Sequence, residues 1–314
     1  MPSQPTEPAR GPDPGLDPDL DPDLDPDLDA TVVVPALNAG HLIHTQLDAL
    51  AGQQTSTRFE VVVADNGSTD DTAATALRWS GAFRGLRVVD ASTRRGVSHA
   101  RNVGARAARS PLVMFCDADD EAATGWVEAM VRGLDRDDLV GGPLEFERLS
   151  DPGSLSLRFE PPADELPLTM RFLPYANGGN LAAHRDLLLS LGGFDEGYVG
   201  GHEEVDLCWR AQLSGHTIGF APEAVMHVSH RGTLRGTMRQ TYGYGRSYAQ
   251  LFSRFQDHPI PRTPVKREVR TYGMLLRQGL TAARHGELDA WLCTMSWTAG
   301  RLVGDARFRV RCPL

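Results

Sequence analysis

A short apolar stretch at residues 112–116, Leu-Val-Met-Phe-Cys, predicts a fully buried β-strand, because it is a continuous apolar run of strand length. Carboxylates follow it at once, at Asp117, Asp119 and Asp120. In open α/β sheets, ligands bind beyond the carboxyl ends of the strands. Asp117 and Asp119 are two residues apart, so an extended backbone directs both carboxylates to one side. The pair suits Mg²⁺ or Mn²⁺ and, through the metal, a diphosphate. The alternative is an acidic turn that caps a helix beginning near residue 122.

Three more strands precede this one, and helical segments separate them. Apolar, β-branched runs predict strands at residues 31–35, 59–64 and 86–90. Four strand–helix alternations with short connections predict an α/β fold with a mostly parallel, doubly wound sheet. A helix is expected at residues 126–134 and a further strand at residues 139–146. Residues 150–176, rich in Pro and Leu, are expected to form a mobile segment that covers a substrate.

Both ends of the chain differ in composition from its middle. Residues 1–30 carry nine acids and one base and include a repeat of Leu-Asp-Pro-Asp, in which a proline at every fourth position forbids a regular helix. They are expected to be a disordered acidic tail; calcium binding by the repeated aspartates is the weaker alternative. Residues 31–232 form the predicted α/β domain. Residues 233–314 form a predicted basic helical extension, since residues 231–286 carry 11 Lys and Arg against two acids, within a chain of net charge −9.

The cysteines and the apolar runs indicate the compartment. The four cysteines lie far apart and none has zinc-type spacing. No apolar run approaches the roughly 18 residues that span a bilayer, and the acidic N-terminus lacks the pattern of a signal peptide. The expected location is therefore the reducing cytoplasm.

Six short motifs occur in order, each at a strand end or a helix start. They are Val-Val-Pro at 33–35, Asp-Asn-Gly-Ser-Thr-Asp at 65–70, Ala-Arg-Asn-Val-Gly at 100–104, Asp-Ala-Asp at 117–119, Asn-Gly-Gly-Asn at 177–180 and Glu-Glu-Val-Asp-Leu-Cys-Trp-Arg at 203–210. Together they resemble family 2 glycosyltransferases of the GT-A fold, over roughly residues 30–232. The resemblance implies a GT-A catalytic domain, a UDP-, GDP- or dTDP-sugar donor, a divalent metal, and inversion at the anomeric carbon.

The resemblance assigns a donor site to the ends of the first strands. The residues expected to bind the donor are Pro35, Ala36, Asn38, Asp65, Ser68, Arg101, Asp117, Ala118, Gly179 and Asn180. Asp65 would accept a hydrogen bond from the nucleobase; the alternative, capping the next helix, is less favoured because Ser68 and Thr69 already offer caps. Arg101 would contact the nucleotide or the diphosphate, the alternative being a solvated helix face.

The metal ligands expected from the resemblance are Asp119, Asp117 and His227. Asp119 would bind the ion directly, and Asp117 would touch the ribose or the metal's water shell. His227 would be a third ligand, and an imidazole favours Mn²⁺ over Mg²⁺. His230 is the competing histidine, and a purely structural role is the alternative for both.

Single displacement needs a base that deprotonates the acceptor hydroxyl. The acidic pair Glu203–Glu204 occupies the family's position for this base, and Glu204 matches the residue usually assigned to it. Glu203 is the fallback, and an acidic pair that merely stabilises a helix N-terminus is the structural alternative. Tyr198 and His202 are candidate acceptor contacts.

Two questions stay open for the extension and for the activity. The basic helices either rest on an anionic membrane surface, at its inner face, and present a lipid-linked or cell-envelope saccharide acceptor, or pack on the catalytic domain or on a second copy in a homo-oligomer. Nucleic-acid binding is not expected, because no known module occurs and the main domain is acidic.

The rival functions are a non-catalytic nucleotide-sugar-binding subunit of a synthase complex and a sugar nucleotidyltransferase. The latter would need a Gly-rich basic loop after the first strand, where residues 34–38 read Val-Pro-Ala-Leu-Asn.

Overall fold

The computed structural model describes residues 24–150, 161–229, 233–285 and 287–313 of the chain. In chain order the strands are β1 (Ala30–Ala36), β2 (Phe59–Asp65), β3 (Leu86–Asp90), β4 (Leu112–Cys116), β5 (Glu121–Ala122), β6 (Leu139–Gly141), β7 (Leu144–Glu145), β8 (Asn180–His184), β9 (Ile218–Phe220) and β10 (Met226–His227). The helices are α1 (Ile43–Ala51), α2 (Thr72–Leu77), α3 (Val97–Ala107), α4 (Trp126–Leu134), α5 (Arg185–Ser190), α6 (Glu203–Leu213), α7 (Leu234–Phe255), α8 (Val265–His285) and α9 (Leu288–Phe308).

A seven-stranded sheet with the order β3-β2-β1-β4-β8-β6-β9 organises the domain. Strands β1 to β4 pair in parallel, and β8 runs antiparallel to both of its neighbours. The predicted mostly parallel sheet is therefore confirmed. A second sheet of three short strands, β5-β10-β7, joins the segment after β4 to the segment around β10.

Alternating side chains of the central strands supply a core on each face of the sheet. In β1, Val32 and Val34 enter the core that lies under α1 and α4, whereas Val33 enters the core under α3 and α6. All three are fully buried. This period-two alternation of β-branched residues, covered by helices on both sides, makes the sheet doubly wound.

Two local predictions are wrong. The single strand expected at residues 139–146 is two strands in different sheets, β6 and β7. Between them, any Cβ on Gly142 would overlap the carbonyl oxygen of Ala224. Glu121–Ala122, where the acidic turn was expected to lead into a helix, forms β5 instead, whereas the helix predicted at residues 126–134 is confirmed as α4.

The described part of the acidic tail packs on the domain. Leu28 is buried, and the Asp29 carboxylate receives hydrogen bonds from Arg58 Nη2 at 2.7 Å and Arg58 Nε at 3.1 Å. Ordered structure therefore begins before residue 31. Residues 1–23 of the predicted tail and residues 151–160 of the predicted covering segment lie outside the described residues.

The C-terminal helices pack on the α/β domain. Trp209 of α6 stacks edge-on against Phe255 of α7, with ring centroids 5.2 Å apart. Tyr248 and Phe252 of α7 join Trp209 in one buried cluster. Of the two alternatives for the basic extension, packing on the α/β domain therefore holds for α7.

The packing of α3 on β1 depends on Gly104. A Cβ at this position would overlap Val33 Cγ1. We expect Gly104→Ala to lower the free energy of unfolding by about 1–3 kcal/mol, because overpacking a closed core forces its neighbours to move. The measurement is the urea midpoint of unfolding.

Gly273 provides the matched control. It also lies in a helix, α8, but a Cβ there would have nothing within 4 Å. Gly273→Ala should leave stability unchanged or raise it by up to about 1 kcal/mol, because alanine is the better helix former. Equal stability of the two variants would contradict the packing argument.

Candidate functional site

The loops that follow β1 and β2 brace each other at the carboxyl end of the sheet. The backbone N–H of Asn38 donates to Ser68 Oγ at 2.9 Å, and Asn38 Oδ1 accepts from the Thr69 N–H at 2.8 Å. Asn38 holds a left-handed backbone with φ of 52°, which asparagine tolerates better than most residues. Asn38 and Ser68 thus shape the predicted nucleoside side of the site by fixing two loops together.

Asp65, the last residue of β2, closes the turn that follows it. Its Oδ1 accepts from the backbone N–H of Ser68 at 2.8 Å. Neither Ser68 nor Thr69 caps α2, because the side chain of Asp70 bonds the Thr72 N–H at 3.1 Å instead. The premise that Ser68 and Thr69 cap the helix is therefore wrong. Asp65 is half-buried at the carboxyl end of β2, and its contact with the nucleobase stays a prediction.

Three small residues predicted to line the donor pocket lie in the core. Pro35 and Ala36 are the last residues of β1 and are buried, and Ala118 is buried directly after β4. Their side chains are buried, and donor binding at these three positions stays a prediction. Any contact with a donor at these positions would involve main-chain atoms.

Arg101 joins two carboxylates inside the protein. It lies on α3 and is buried, and its Nη2 donates to Asp117 Oδ1 at 2.9 Å while Nη1 donates to Glu203 Oε1 at 3.1 Å. The guanidinium also lies 5.5 Å from the ring centroid of Phe194. Burial disfavours the charge, but Asp117, Glu203 and Glu204 outweigh it and raise the pKa of Arg101. Arg101 is therefore a buried bridge, which excludes the alternative of a solvated helix face, and its contact with the nucleotide or the diphosphate stays a prediction.

Two glycines let the loop before β8 approach this bridge. A Cβ on Gly178 would lie 2.6 Å from Arg101 Nη1, and a Cβ on Gly179 would lie 2.7 Å from Asp117 Oδ2. Larger residues would displace the ion pair, so glycine is needed at both positions.

Asn180, in contrast, is structural. It is fully buried; its Oδ1 accepts from Trp126 Nε1 at 2.7 Å, and its Nδ2 donates to the carbonyl oxygens of Pro143 and Ala224. These bonds hold β8 to its neighbours, and the predicted contact of Asn180 with the donor stays a prediction.

The acidic pair begins α6 after an unusual backbone. Gly200, Gly201 and His202 all have positive φ, of 103°, 99° and 72°. Glu203 is buried against Arg101, while Glu204 is half-buried. Burial and the neighbouring Glu203 carboxylate raise the pKa of Glu204 to about 8. A carboxyl group with such a pKa is suited to accept a proton near neutral pH.

Helix α7 of the extension supplies one side of this site. A Cβ on Gly201 would lie 2.7 Å from the ring of Tyr244, and His202 Nδ1 lies 2.8 Å from Ser247 Oγ. Burial lowers the pKa of His202 to about 4. Burial, together with the nearby Glu204 charge, raises the pKa of Tyr244 to about 12. Sequence reasoning missed Tyr244 and Ser247, since nothing local links them to residues some 40 positions earlier.

Tyr198, a candidate acceptor contact, has a structural role. It is buried, and its hydroxyl donates to Asp206 Oδ1 at 3.3 Å. His202 is only half-buried and lies beside the acidic pair.

The predicted metal ligands lie on segments that the small sheet holds together. Asp119 is exposed and the Asp117 side chain is 37% exposed. His227 of β10 pairs with Glu121 of β5. Asp120 Oδ1 accepts a hydrogen bond from the Ser229 N–H at 3.1 Å, so the loop after β4 runs beside β10. His230 lies outside the described residues.

A metal ion at this edge would have few protein ligands. Across the described residues, no group of three or more His, Cys, Asp or Glu is arranged to hold one. His227 Nδ1 lies 2.5 Å from Glu145 Oε2, which is the partner that a ligating histidine usually has. The residues therefore fit an ion that takes few protein ligands and completes its shell with phosphate and water, as Mg²⁺ commonly does.

Comparison with known proteins supports the resemblance. The family described as "Glycosyl transferase family 2" matches residues 31–180. Pre-mycofactocin glycosyltransferase of Mycobacterium tuberculosis is 27% identical over 244 residues, which is 74% of this chain and 49% of that protein. Glycosyltransferase AglE of Haloferax volcanii is 27% identical over 201 residues, 62% of this chain and 65% of AglE. The chain thus spans about half to two-thirds of the length of these relatives.

Solved structures share the fold. Mannosyltransferase PcManGT from Pyrobaculum calidifontis, in complex with GDP-Man and Mn²⁺, superposes with a TM-score of 0.58 at 20% identity, covering 87% of this chain and 86% of that one. S. aureus TarS 1–349, in complex with UDP-GlcNAc, gives a TM-score of 0.54 at 18% identity, covering 88% and 92%. At these identities the likeness concerns the fold alone, and it agrees with the expected GT-A architecture.

Proposed function

This chain belongs to glycosyltransferase family 2, and from that premise we propose that it transfers a glycosyl group from a nucleotide-sugar to an acceptor hydroxyl by a single, inverting displacement. The observation that carries the proposal is the buried chain of charges Asp117–Arg101–Glu203, which ends beside Glu204. It joins the edge proposed to hold the diphosphate to the group proposed to take the acceptor's proton.

Glu204 is the proposed base. Glu203 is committed to Arg101 at 3.1 Å and is buried, so its carboxylate is a positioning group. Glu204 is more exposed, and its raised pKa makes it the better proton acceptor of the pair. In the proposed step, Glu204 takes the proton of the acceptor hydroxyl as that oxygen bonds to the anomeric carbon and the nucleoside diphosphate departs with the electrons of the broken bond.

The proposed donor edge consists of the loops after β1, β2 and β4 and the glycines before β8. Asp119 and Asp117 are the proposed holders of a divalent ion, Mn²⁺ or Mg²⁺, with His227 as a third candidate ligand. When bound, such an ion offsets the charge of the diphosphate. Gly179 lets the backbone approach the donor beside Asp117.

The acceptor side is proposed to include His202 and Tyr244, which flank the start of α6. The proposed acceptors are saccharides or lipid-linked cell-envelope saccharides. The proposed location is the cytoplasm, which agrees with four cysteines that are buried and free.

A thermal-shift series tests the donor part of the proposal. We expect one class of nucleoside diphosphate (uridine, guanosine or thymidine) to raise Tm with Mn²⁺ and little without it, since a ligand at about 100 times its Kd adds about 2.7 kcal/mol. Asp119→Asn should abolish the metal-dependent part of the shift. Asp135→Asn, which alters an exposed residue after α4, should keep it.

Turnover separates an enzyme from a binding subunit. The nucleotide-sugar of the class that binds should yield free nucleoside diphosphate and a glycosylated product with an acceptor. A metal-independent shift, or metal-dependent binding without product for any acceptor, would overturn the proposed function.

A further inference from the structure

The outward surface of α8 carries one sign of charge. Four basic residues, Lys266, Arg270, Arg277 and Arg284, recur at spacings of four and seven, so they share one stripe of the helix. All are exposed, and none forms an ion pair with a carboxylate of the described residues. This stripe is unusual in a chain whose net charge is −9.

The only acid of α8 faces inward. Glu268 is buried and lies 3.2 Å from Arg311 Nε and 3.7 Å from Arg301 Nη1. Trp291 of α9 fixes the same inner face, because its Nε1 donates to the carbonyl oxygen of Leu275 at 2.8 Å. The helix is therefore docked by its inner face, with its positive charge left outside.

A second stripe beside the basic one is apolar and exposed. Val265, Val269 and Leu276 have the same spacing as the basic residues, shifted by one position, and are 54%, 66% and 62% exposed. Exposed apolar side chains ordinarily occur singly on a protein surface. These three lie along one side of the helix and form a continuous apolar strip.

We propose that α8 lies in the interface of an anionic lipid bilayer, with Val265, Val269 and Leu276 among the acyl chains and the basic stripe among the phosphate headgroups. An apolar strip flanked by Lys and Arg fits the boundary between hydrocarbon and anionic headgroups. Charge complementarity favours an anionic bilayer over the other partners. A second copy that docked through the same face would place one positive stripe against another, and nucleic acid has no apolar surface to cover the strip. Among the described residues, no helix has the length and hydropathy needed to cross a bilayer, so contact would be peripheral.

This surface goes beyond the proposed transfer reaction. Helix α8 packs on α9, α9 packs on α7, and α7 carries Tyr244 at the acidic pair. An enzyme held this way would meet an acceptor embedded in the same membrane surface.

Vesicle co-sedimentation of the full chain tests the proposal without donor or turnover. We expect binding to phosphatidylcholine vesicles that contain phosphatidylglycerol, weakening steeply with added salt, and little binding to phosphatidylcholine alone. Arg270→Gln with Arg277→Gln should weaken binding by roughly tenfold or more, since each charge near the surface contributes several-fold. Leu276→Ser should also weaken binding, and should leave its salt dependence unchanged.

Matched variants on the α/β domain complete the design. Arg84→Gln with Arg136→Gln removes the same charge from exposed sites, and Leu77→Ser removes an exposed leucine; both should bind like the parent. Equal binding to neutral vesicles, no binding to either kind, or an equal loss in the control pair would overturn the proposal. So would a concentration-dependent dimer, in sedimentation velocity without lipid, that Leu276→Ser abolishes.

Discussion

Replacing Glu204 by glutamine is expected to lower kcat for glycosyl transfer by about 10²–10⁴-fold, because an amide of the same shape cannot accept the proton of the acceptor hydroxyl. Affinity for the nucleoside diphosphate should stay unchanged, since Glu204 is proposed to act on the acceptor and Arg101 separates it from Asp117 on the proposed donor edge. Stability should not fall, because burial and Glu203 already disfavour the Glu204 charge. The measurements are the transfer rate, the Kd of the nucleoside diphosphate, and Tm.

Glu223→Gln is the control for this substitution. Glu223 is exposed and pairs only with the exposed Arg132 among the described residues, so its loss should leave kcat unchanged. If Glu204→Gln transferred at the parent's rate, another group would take the proton. If the Kd of the nucleoside diphosphate rose as much as kcat fell, Glu204 would belong to the donor site instead.

The same carboxyl group predicts how activity depends on pH. Glu204 must be ionised to act as a base, so kcat/KM should rise with pH through a pKa of about 8, well above the usual 4.5. Glu203→Gln removes one cause of the raised pKa, so the rise should move to lower pH. Because the folded state holds this proton at a pH where the unfolded chain has lost it, Glu204 should also make stability fall as pH rises between these two values. A pH profile that is identical in both proteins would contradict the assignment.

Much of the fold follows from local pattern, because each central strand is a short β-branched run with a polar turn after it. The runs at β1, β2 and β4 alternate between two cores, and helices of matching spacing lie between them. Short elements were harder to predict. Between β6 and β7, Gly142 meets the Ala224 carbonyl, 82 positions later, and no local pattern signals such a contact.

In the site, too, local pattern predicts positions, but it does not predict contacts between residues that are distant in the sequence. The positions of Asp65, Asp117 and Glu204 at element ends were predictable from motif order and strand ends. The orientation of Arg101 was not, because its partners Asp117 and Glu203 lie 16 and 102 residues away. The contribution of Tyr244 likewise depends on α7 packing back against Gly201, which basic composition alone could not indicate.

Replacing Arg101 by methionine is expected to lower the free energy of unfolding by about 3–5 kcal/mol, because it removes the cation from a buried ion pair and leaves the Glu203 carboxylate without it. Transfer should fall as well. Arg101 is one of the influences that lower the pKa of Glu204, so its loss should move the rise of kcat/KM to still higher pH. Denaturant unfolding and the pH profile are the two measurements. Arg106→Met, at an exposed position of the same helix, should change neither.

A second substitution separates stability from positioning. In Arg101→Met with Glu203→Gln, no unpaired carboxylate remains at position 203, so much of the lost stability should return. Activity should stay low, since the polar link between Asp117 and the base is still missing. If the double variant were no more stable than Arg101→Met, the buried charge of Glu203 would not be the source of the loss. If it instead recovered full activity, Arg101 would be a structural residue alone, and the link from the diphosphate edge to the base would have no part in catalysis.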